Sequence, residues 1–554
     1  DEMVALFNHC IYDLDSRTPS IDTPLHGLLP FKHIDHLHPD ALIAIAAAED
    51  SEKITKEIWG DTMGWVPWQR PGFDLGLKLE KCLNENPSIR GIVLGSHGVF
   101  TWGDTSYESY INSLEVIEAA SQYIEDKVAK NSSVFGGQKI KSLPEYKWKD
   151  KAAQLAPILR GLCSSENAMI GHFTDDEKVL EYINSYDLQR LAPMGTSCPD
   201  HFLRTKIKPL ILPLSVDEDF SDPLQVMKKL TPSFEQYRED YKKYYNSCKY
   251  PNSPAMRDPN PVVIIYPGVG MFTFAKNKQT ARVASEFYIN AVNVMRGAEA
   301  ISSYTSLPRQ EAFDIEYWLL EEAKLQRQPK EKPLSRKVAL ITGSGGGIGR
   351  AIADKLIAEG ANVIFTDISE EYLDEAISQY SPDQAIACQC DVTNSKSIEK
   401  AIQKASIEFG GLDIVVHSAG LAISKPLEET TEANWNLLQD VLVKGQFLLS
   451  RAAAKIMRKQ KLGGNIVYIA SKNGLVSGPN NVGYGTAKAS QMHMSRLLAA
   501  ELANDQIRVN TVNPDGVIIG SKIWKGDWAE GLSLIHISEP TRPLYISYAV
   551  FCLK

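Results

Sequence analysis

At 554 residues the chain is too long for one hydrophobic core, and several domains are implied. A composition of 44% hydrophobic and 23% charged residues is that of a soluble globular protein. The net charge of −9 excludes nucleic acid or an anionic membrane as the main partner, so any phosphate site must be local. No apolar run approaches the ~20 residues that a membrane-spanning helix needs. The eight cysteines (Cys10, Cys82, Cys163, Cys198, Cys248, Cys388, Cys390 and Cys552) show neither a zinc-ribbon spacing nor a disulfide framework, which suits a reducing cytoplasm. The chain opens on Asp1-Glu2-Met3-Val4 with no basic leader, and it reads as a fragment of a longer protein.

The first block, residues 1–150, carries PSIDTPLHGLLPFKHIDHLHPDA (19–41) and, after an apolar strand, the glycine turn GSHGVF (95–100). His36 and His38 alternate as on a short extended segment, so both imidazoles point one way. With His97 they make three neutral nitrogen donors with one position open, the pattern of a catalytic zinc site. Asp22 precedes the pair and is the candidate acid/base, whereas His26 and His33 read as ordinary surface or core histidines. Pro-Ser-x-Asp before Leu-His, the His-x-His-Pro run and the His-Gly-Val turn together resemble the class II aldolase/adducin family over about 130 residues. The resemblance implies an α/β/α fold. It also implies a metal, Zn(2+), that holds the oxygens of a phosphorylated ketose and stabilises the enediolate left by carbon–carbon cleavage. Asp22 stands where the family's aldolases have glutamate and matches its pentulose-phosphate epimerases instead. The family's phosphate-binding loops would fall before residue 1.

The middle block, residues 151–332, alternates amphipathic helices with short strands and ends in a charged linker. IVLGSHGVFTWGD (92–104) and VIIYPGVGMFTFAK (263–276) share a strand, a glycine turn and a Phe-Thr-aromatic step. Val269 stands in the second where His97 stands in the first, so the block is either a continuation of the first or a repeat that lost its chemistry.

From residue 333 to 531, short apolar runs alternate with helical patterns, the signature of a doubly wound parallel sheet. Val338 to Thr342 form a strand, followed by Gly343, Ser344, Gly347, Ile348 and Gly349 in a Thr-Gly-x-x-x-Gly-x-Gly turn that opens a helix. Such a turn brings backbone N–H groups and a helix N-terminus to a pyrophosphate. Asp367 ends the next strand, where its carboxylate would take the ribose hydroxyls and repel a 2′-phosphate, favouring NAD over NADP. Asp391 and Val392 follow the third strand, at the expected adenine position.

Downstream, Tyr484 and Lys488 lie four residues apart on one helix face, and Ser471 ends a strand thirteen residues before the tyrosine. A lysine ammonium and the nicotinamide charge would lower the tyrosine's pKa from near ~10 and make it a base, with the serine orienting the reacting oxygen. These features resemble the short-chain dehydrogenase/reductase family over about 195 residues, and the resemblance adds Ala419, Gly420 and Pro514 to the cofactor contacts. Two departures stand out. The family's Asn-Asn-Ala-Gly reads His417-Ser418-Ala419-Gly420, and Leu442 replaces an asparagine that supports a water chain to the lysine. The last residues, 532–554, continue none of the earlier periodicity and read as a non-native tail.

The order of the blocks, with GTSCPDHFLRTKIKPL (195–210) between them, resembles the bifunctional rhamnulose-1-phosphate aldolase/lactaldehyde dehydrogenases of rhamnose catabolism, truncated at both ends. That implies retro-aldol cleavage of L-rhamnulose 1-phosphate, then NAD-dependent oxidation of the lactaldehyde released, in a cytoplasmic homo-oligomer whose partners are a sugar phosphate and a short aldehyde. Two other readings stay open. One is a sugar-alcohol or hydroxy-acid dehydrogenase fused to another sugar-phosphate aldolase or epimerase. The other is an adducin-like interaction module, against which the retained histidines argue.

Overall fold

The computed structural model describes residues 19–131, 133–319 and 329–517 together with a few isolated positions outside these ranges. The expected tail, 532–554, lies outside the described residues. The chain folds as an N-terminal class II aldolase-like α/β part followed by a Rossmann-type parallel sheet.

The first unit runs α1 (Thr23–Gly27), β1 (His33–Leu37), α2 (Asp40–Ala46), β2 (Gly64–Val66), β3 (Gly91–Leu94), β4 (Gly98–Gly103) and α3 (Ser106–Lys130). Its sheet has the order β1-β4-β3-β2. The strand β3 is Gly-Ile-Val-Leu, buried along its whole length, as a continuous apolar strand covered on both faces must be. The helix α3 starts where Thr105 and Glu108 close a capping box and satisfy its first free N–H groups.

The second unit runs α4 (Glu145–Cys163), β5 (Ile170–Thr174), α5 (Pro199–Thr205), β6 (Leu210–Ile211), β7 (Val263–Tyr266), β8 (Gly270–Ala275) and α6 (Lys278–Ile301). Its sheet order, β5-β8-β7-β6, repeats the first, with two antiparallel pairs and one parallel pair in the same places. The registers coincide as well. His36 faces Phe100 in the first sheet, and Phe173 faces Phe272 in the second. Counting on from these pairs, the second unit holds Phe173, Asp175 and Val269 where the first holds His36, His38 and His97. Asp175 is engaged by the Trp148 indole at 2.9 Å. The scaffold is duplicated and the imidazoles are not.

The third unit contains β9 (Val338–Thr342), α7 (Gly347–Ala358), β10 (Asn362–Asp367), β11 (Ala385–Gln389), β12 (Ile414–His417), α8 (Gly445–Gln460), β13 (Gly464–Ile469), α9 (Val482–Glu501) and β14 (Ile507–Val512). All the strands are parallel, in the order β11-β10-β9-β12-β13-β14. The order reverses beside β9, which opens a crevice at the C-terminal ends of β9 and β12.

The second unit docks on the opposite, N-terminal edge of this sheet. Arg160 of α4 is fully buried and forks onto Asp413, just before β12, at 2.7 and 3.2 Å. It also donates to the Arg336 carbonyl just before β9, at 3.1 Å. Asp413 in turn accepts the Val338 N–H at 2.8 Å, so one carboxylate joins α4, β9 and β12. Arg282 of α6 pairs with Asp383, just before β11, at 2.9 and 3.0 Å. Removing one member of a buried pair leaves the other charge uncompensated. Arg160→Met is therefore expected to lower stability by roughly 3–5 kcal/mol, measured by denaturant unfolding. A loss below about 1 kcal/mol, the level of a surface pair, would mean that the fork carries no interface energy.

Candidate active sites

The dinucleotide crevice is built on strand ends. The turn after β9 presents Gly343, Gly347, Ile348 and Gly349 at the start of α7. A Cβ on Gly349 would lie 2.2 Å from the Gly343 carbonyl oxygen, so only glycine lets the helix sit this close to the strand. Asp367 ends β10 and folds over the turn, accepting the Gly345 N–H and the Ser369 N–H at 3.1 Å each. Ser344 lies in this turn beside Thr366 of β10. Its hydroxyl is fully buried, accepts the Thr366 N–H at 2.8 Å and donates back to the Thr366 carbonyl at 3.3 Å. It ties the turn to β10.

Asp391 follows β11 and is held by the Thr393 N–H and hydroxyl, both at 2.8 Å. Val392, beside it, is buried. Ala419 and Gly420 follow β12, with the Ala419 N–H on the Thr342 hydroxyl at 3.2 Å. The Pro514 carbonyl accepts the Lys472 N–H at 3.0 Å, which places it beside Ser471. The crevice thus offers a glycine turn, a helix start and one carboxylate, the donor set that a dinucleotide requires.

Ser471 follows β13 by two residues and caps the short turn Lys472–Gly474, and Tyr484 and Lys488 sit one turn apart on α9. The Lys488 ammonium donates to the Ile469 carbonyl at 2.8 Å and lies 5.6 Å from the centre of the Tyr484 ring. Burial governs both groups. It pushes the lysine down to about 7 and the phenol up, against a hydrogen bond from Ser471 that pulls the phenol down. The influence that opposes burial at the phenol comes from Ser471.

Leu442 sits in a π-helical turn, Gln439–Lys444, and its fully buried side chain packs in an apolar cluster that Tyr484 borders. Its carbonyl accepts the Gln491 amide at 2.7 Å. His417 is buried at the end of β12, its Nδ1 3.1 Å from the Thr342 hydroxyl, and desolvation pushes it down to about 3. Gln491 was not legible as a partner, although its place three residues after Lys488 puts it on the same helix face.

In the first unit, β1 delivers His36, the residue after its end delivers His38, and the turn between β3 and β4 delivers His97. The Nε2 atoms of His36 and His38 stand 3.1 Å apart, and His97 brings a donor nitrogen within 4.8 Å of both. A Cβ on Gly98 would lie 2.5 Å from the His38 ring, so glycine there is what admits the ring. Phe100 stacks on His36 at 4.1 Å. Burial, followed by the neighbouring His38, pushes His36 down to about 3, and burial likewise carries His97 well below its ordinary range. Imidazoles with converging ring nitrogens, one of them with a buried Nδ1 that has no partner among the described residues, fit a metal ion.

Asp22 precedes α1 and accepts the Ser20 hydroxyl at 3.1 Å; it stands outside the converging donors. His26 lies edge-on to Phe100 at 5.6 Å, while His33 starts β1 on an exposed edge. The carboxylate that does reach the imidazoles is Asp200, from α5 of the second unit, 2.8 Å from His38 Nδ1. No local spacing announces it, since 162 residues separate the two. His201 is buried edge-on to Phe287, and Arg204 is exposed.

Comparisons with known proteins agree with this division. Residues 3–124 match the family described as Class II Aldolase and Adducin N-terminal domain, 150–325 match Aldolase class II, second domain, and 337–525 match short chain dehydrogenase. The Bacillus subtilis (strain 168) protein named Uncharacterized oxidoreductase YuxG is 38% identical over 548 residues, 98% of this chain and 78% of that protein. NAD-dependent glycerol dehydrogenase of Listeria innocua serovar 6a is 32% identical over 205 residues, 37% of this chain and 80% of that protein. D-threitol dehydrogenase of Mycolicibacterium smegmatis is 34% identical over 203 residues, 36% of this chain and 78% of that protein.

The fold and these matches define an enzyme with a short-chain NAD(P)-dependent oxidoreductase domain fused to a class II aldolase/adducin domain. The chain belongs to the family of such fused proteins that includes YuxG. No described helix is long and apolar enough to cross a membrane.

Proposed function

We propose that the third unit oxidises a polyol or hydroxy compound with NAD, and that the first unit is a zinc-dependent aldolase or epimerase of a sugar phosphate. The observation that carries the dehydrogenase reading is the grouping of Ser471, Tyr484 and Lys488 at the strand ends that also hold the glycine turn and Asp367. Relatives named for glycerol and D-threitol, both polyols, support that substrate class.

In the proposed reaction the Tyr484 oxygen accepts the substrate's hydroxyl proton, and a nicotinamide dinucleotide held by the glycine turn and Asp367 would serve as the hydride acceptor, so that the products would be a carbonyl, NADH and one proton. Ser471 holds the substrate oxygen, and Lys488 supplies positive charge beside the phenolate as it forms. Asp367 reads the adenosine ribose and disfavours a 2′-phosphate, hence NAD. In the first unit, zinc held by His36, His38 and His97 would supply Lewis-acid stabilisation of the charge that develops on the substrate. Asp22 would then move the proton.

The fusion of a carbon–carbon cleaving unit to a dehydrogenase favours one narrower reading. L-Rhamnulose 1-phosphate would be cleaved to dihydroxyacetone phosphate and L-lactaldehyde. The hydrate of the aldehyde, which has a hydroxyl that Tyr484 can deprotonate, would yield hydride to NAD and leave lactate.

NADH appearance with glycerol, D-threitol, L-lactaldehyde or L-rhamnulose 1-phosphate plus zinc separates the readings. Turnover of the polyols alone supports the broad reading, and turnover of both rhamnose-derived compounds supports the narrow one. No NADH from any of the four would remove both substrate assignments.

A further inference from the structure

Both units of the aldolase-like part keep the same sheet, yet the second has Phe173, Asp175 and Val269 in the three positions that carry imidazoles in the first. It cannot assemble an imidazole site of its own, but it reaches into its neighbour's. The segment Gly195–Cys198 runs up to α5 almost wholly buried, with Thr196, Ser197 and Cys198 at 2% exposure or less. Tyr304 pins its start by donating to the Gly195 carbonyl at 2.9 Å. The next residue, Thr305, is tied to the first unit by its N–H and hydroxyl, both on the Ala47 carbonyl just after α2, at 2.8 and 2.9 Å. Asp200 follows on the first turn of α5, so its backbone is fixed with respect to β1.

There its carboxylate meets His38 on one ring nitrogen only. His38 Nδ1 is 2.8 Å from Asp200 Oδ2, while His38 Nε2 points the other way, to within 3.1 Å of His36 Nε2. A proton kept on Nδ1 by a carboxylate leaves the Nε2 lone pair free and aims it at the point where the three imidazoles converge. We propose that Asp200 is a positioning residue for the metal centre, contributed by the second unit, which sets the tautomer and aim of His38. The inference rests on the reading of His36, His38 and His97 as metal ligands. It gives the degenerate unit a function, because a metal site in the first unit is then complete only with the second in place.

The test is a metal titration of the whole chain with cobalt and zinc against a chromophoric chelator, alongside the visible spectrum of the cobalt form. The wild-type chain is expected to bind one metal per chain. Asp200→Ala should keep that stoichiometry and lose roughly 10- to 100-fold in affinity, the usual effect of removing a carboxylate behind a histidine ligand. Asp200→Asn, whose amide oxygen can still accept from Nδ1, should recover most of the loss. Thermal unfolding midpoints close to wild type would show that both variants are folded.

Unchanged affinity in a folded Asp200→Ala chain would overturn the positioning role and leave the histidine site standing. Complete loss of metal, as in His38→Ala, would overturn it differently, by making Asp200 a direct ligand. A wild-type chain that binds neither metal would defeat the metal reading itself.

Discussion

Phenylalanine in place of Tyr484 is expected to cut NADH formation by about 10²- to 10⁴-fold, the scale of a positioned proton acceptor. The substitution removes one hydroxyl and little else. The ring borders the apolar cluster of Leu438, Leu442 and Ala487, and phenylalanine keeps those contacts. Dinucleotide affinity, followed by quenching of protein fluorescence, should stay within a few-fold of wild type, because the glycine turn, Asp367 and Lys488 are untouched. Any cleavage by the first unit should not change, since the second unit meets the third through residues that precede its strands, by the pairs Arg160–Asp413 and Arg282–Asp383, and not through the crevice that holds Tyr484. A fall in NADH formation of less than about tenfold would point to another proton acceptor, being below the range for a positioned base. Lys488, which burial brings down to about 7, would be the group to replace next.

The reciprocal experiment is His97→Ala. His97 is 2% exposed, its ring centre is 5.0 Å from that of His36 and 4.9 Å from that of His38, and no described side chain could take its place between β3 and β4. Bound metal per chain should drop from one to near zero by elemental analysis. Cleavage or epimerisation should fall by roughly 10³-fold or more, the scale that several kcal/mol of charge stabilisation sets. Oxidation by the third unit should persist at the wild-type rate. If instead His97→Ala retained its metal, His36 and His38 would have to hold it with Asp200, and the assignment of the third ligand would be wrong.

What the sequence disclosed follows the distance along the chain over which each feature is assembled. The glycine turn, Asp367 and the pair Tyr484 and Lys488 are each set by one strand end or one helix face, and could be placed by spacing alone. His36 and His38 were legible for the same reason, since alternation on β1 aims both rings to one side. For Ser344, spacing locates the residue in a turn but does not show the partner of its hydroxyl, which here is the backbone of β10. Asp200 was out of reach because it comes to His38 through the packing of one unit on another, across 162 residues of chain. Leu442 could be marked as a departure. Its effect could not be foreseen, because that depends on Gln491 taking the carbonyl and on the apolar cluster taking the side chain.

The edge on which the second unit docks also decides how a reaction product would travel. The Rossmann crevice opens at the C-terminal ends of β9 and β12, whereas Arg160, Arg282 and Lys278 grip the residues before β9, β11 and β12. The imidazole cluster lies alongside α6, whose Asn293 donates to Asp40, two residues after His38, at 2.8 Å, fifteen residues (about 22 Å of helix) on from the contact of Lys278 with Glu408. If the proposed cleavage releases an aldehyde at the imidazoles, the second unit's docking at the N-terminal ends of the strands sets that site away from the crevice at their C-terminal ends, so an added scavenger should capture the aldehyde and NADH should follow cleavage only after a lag.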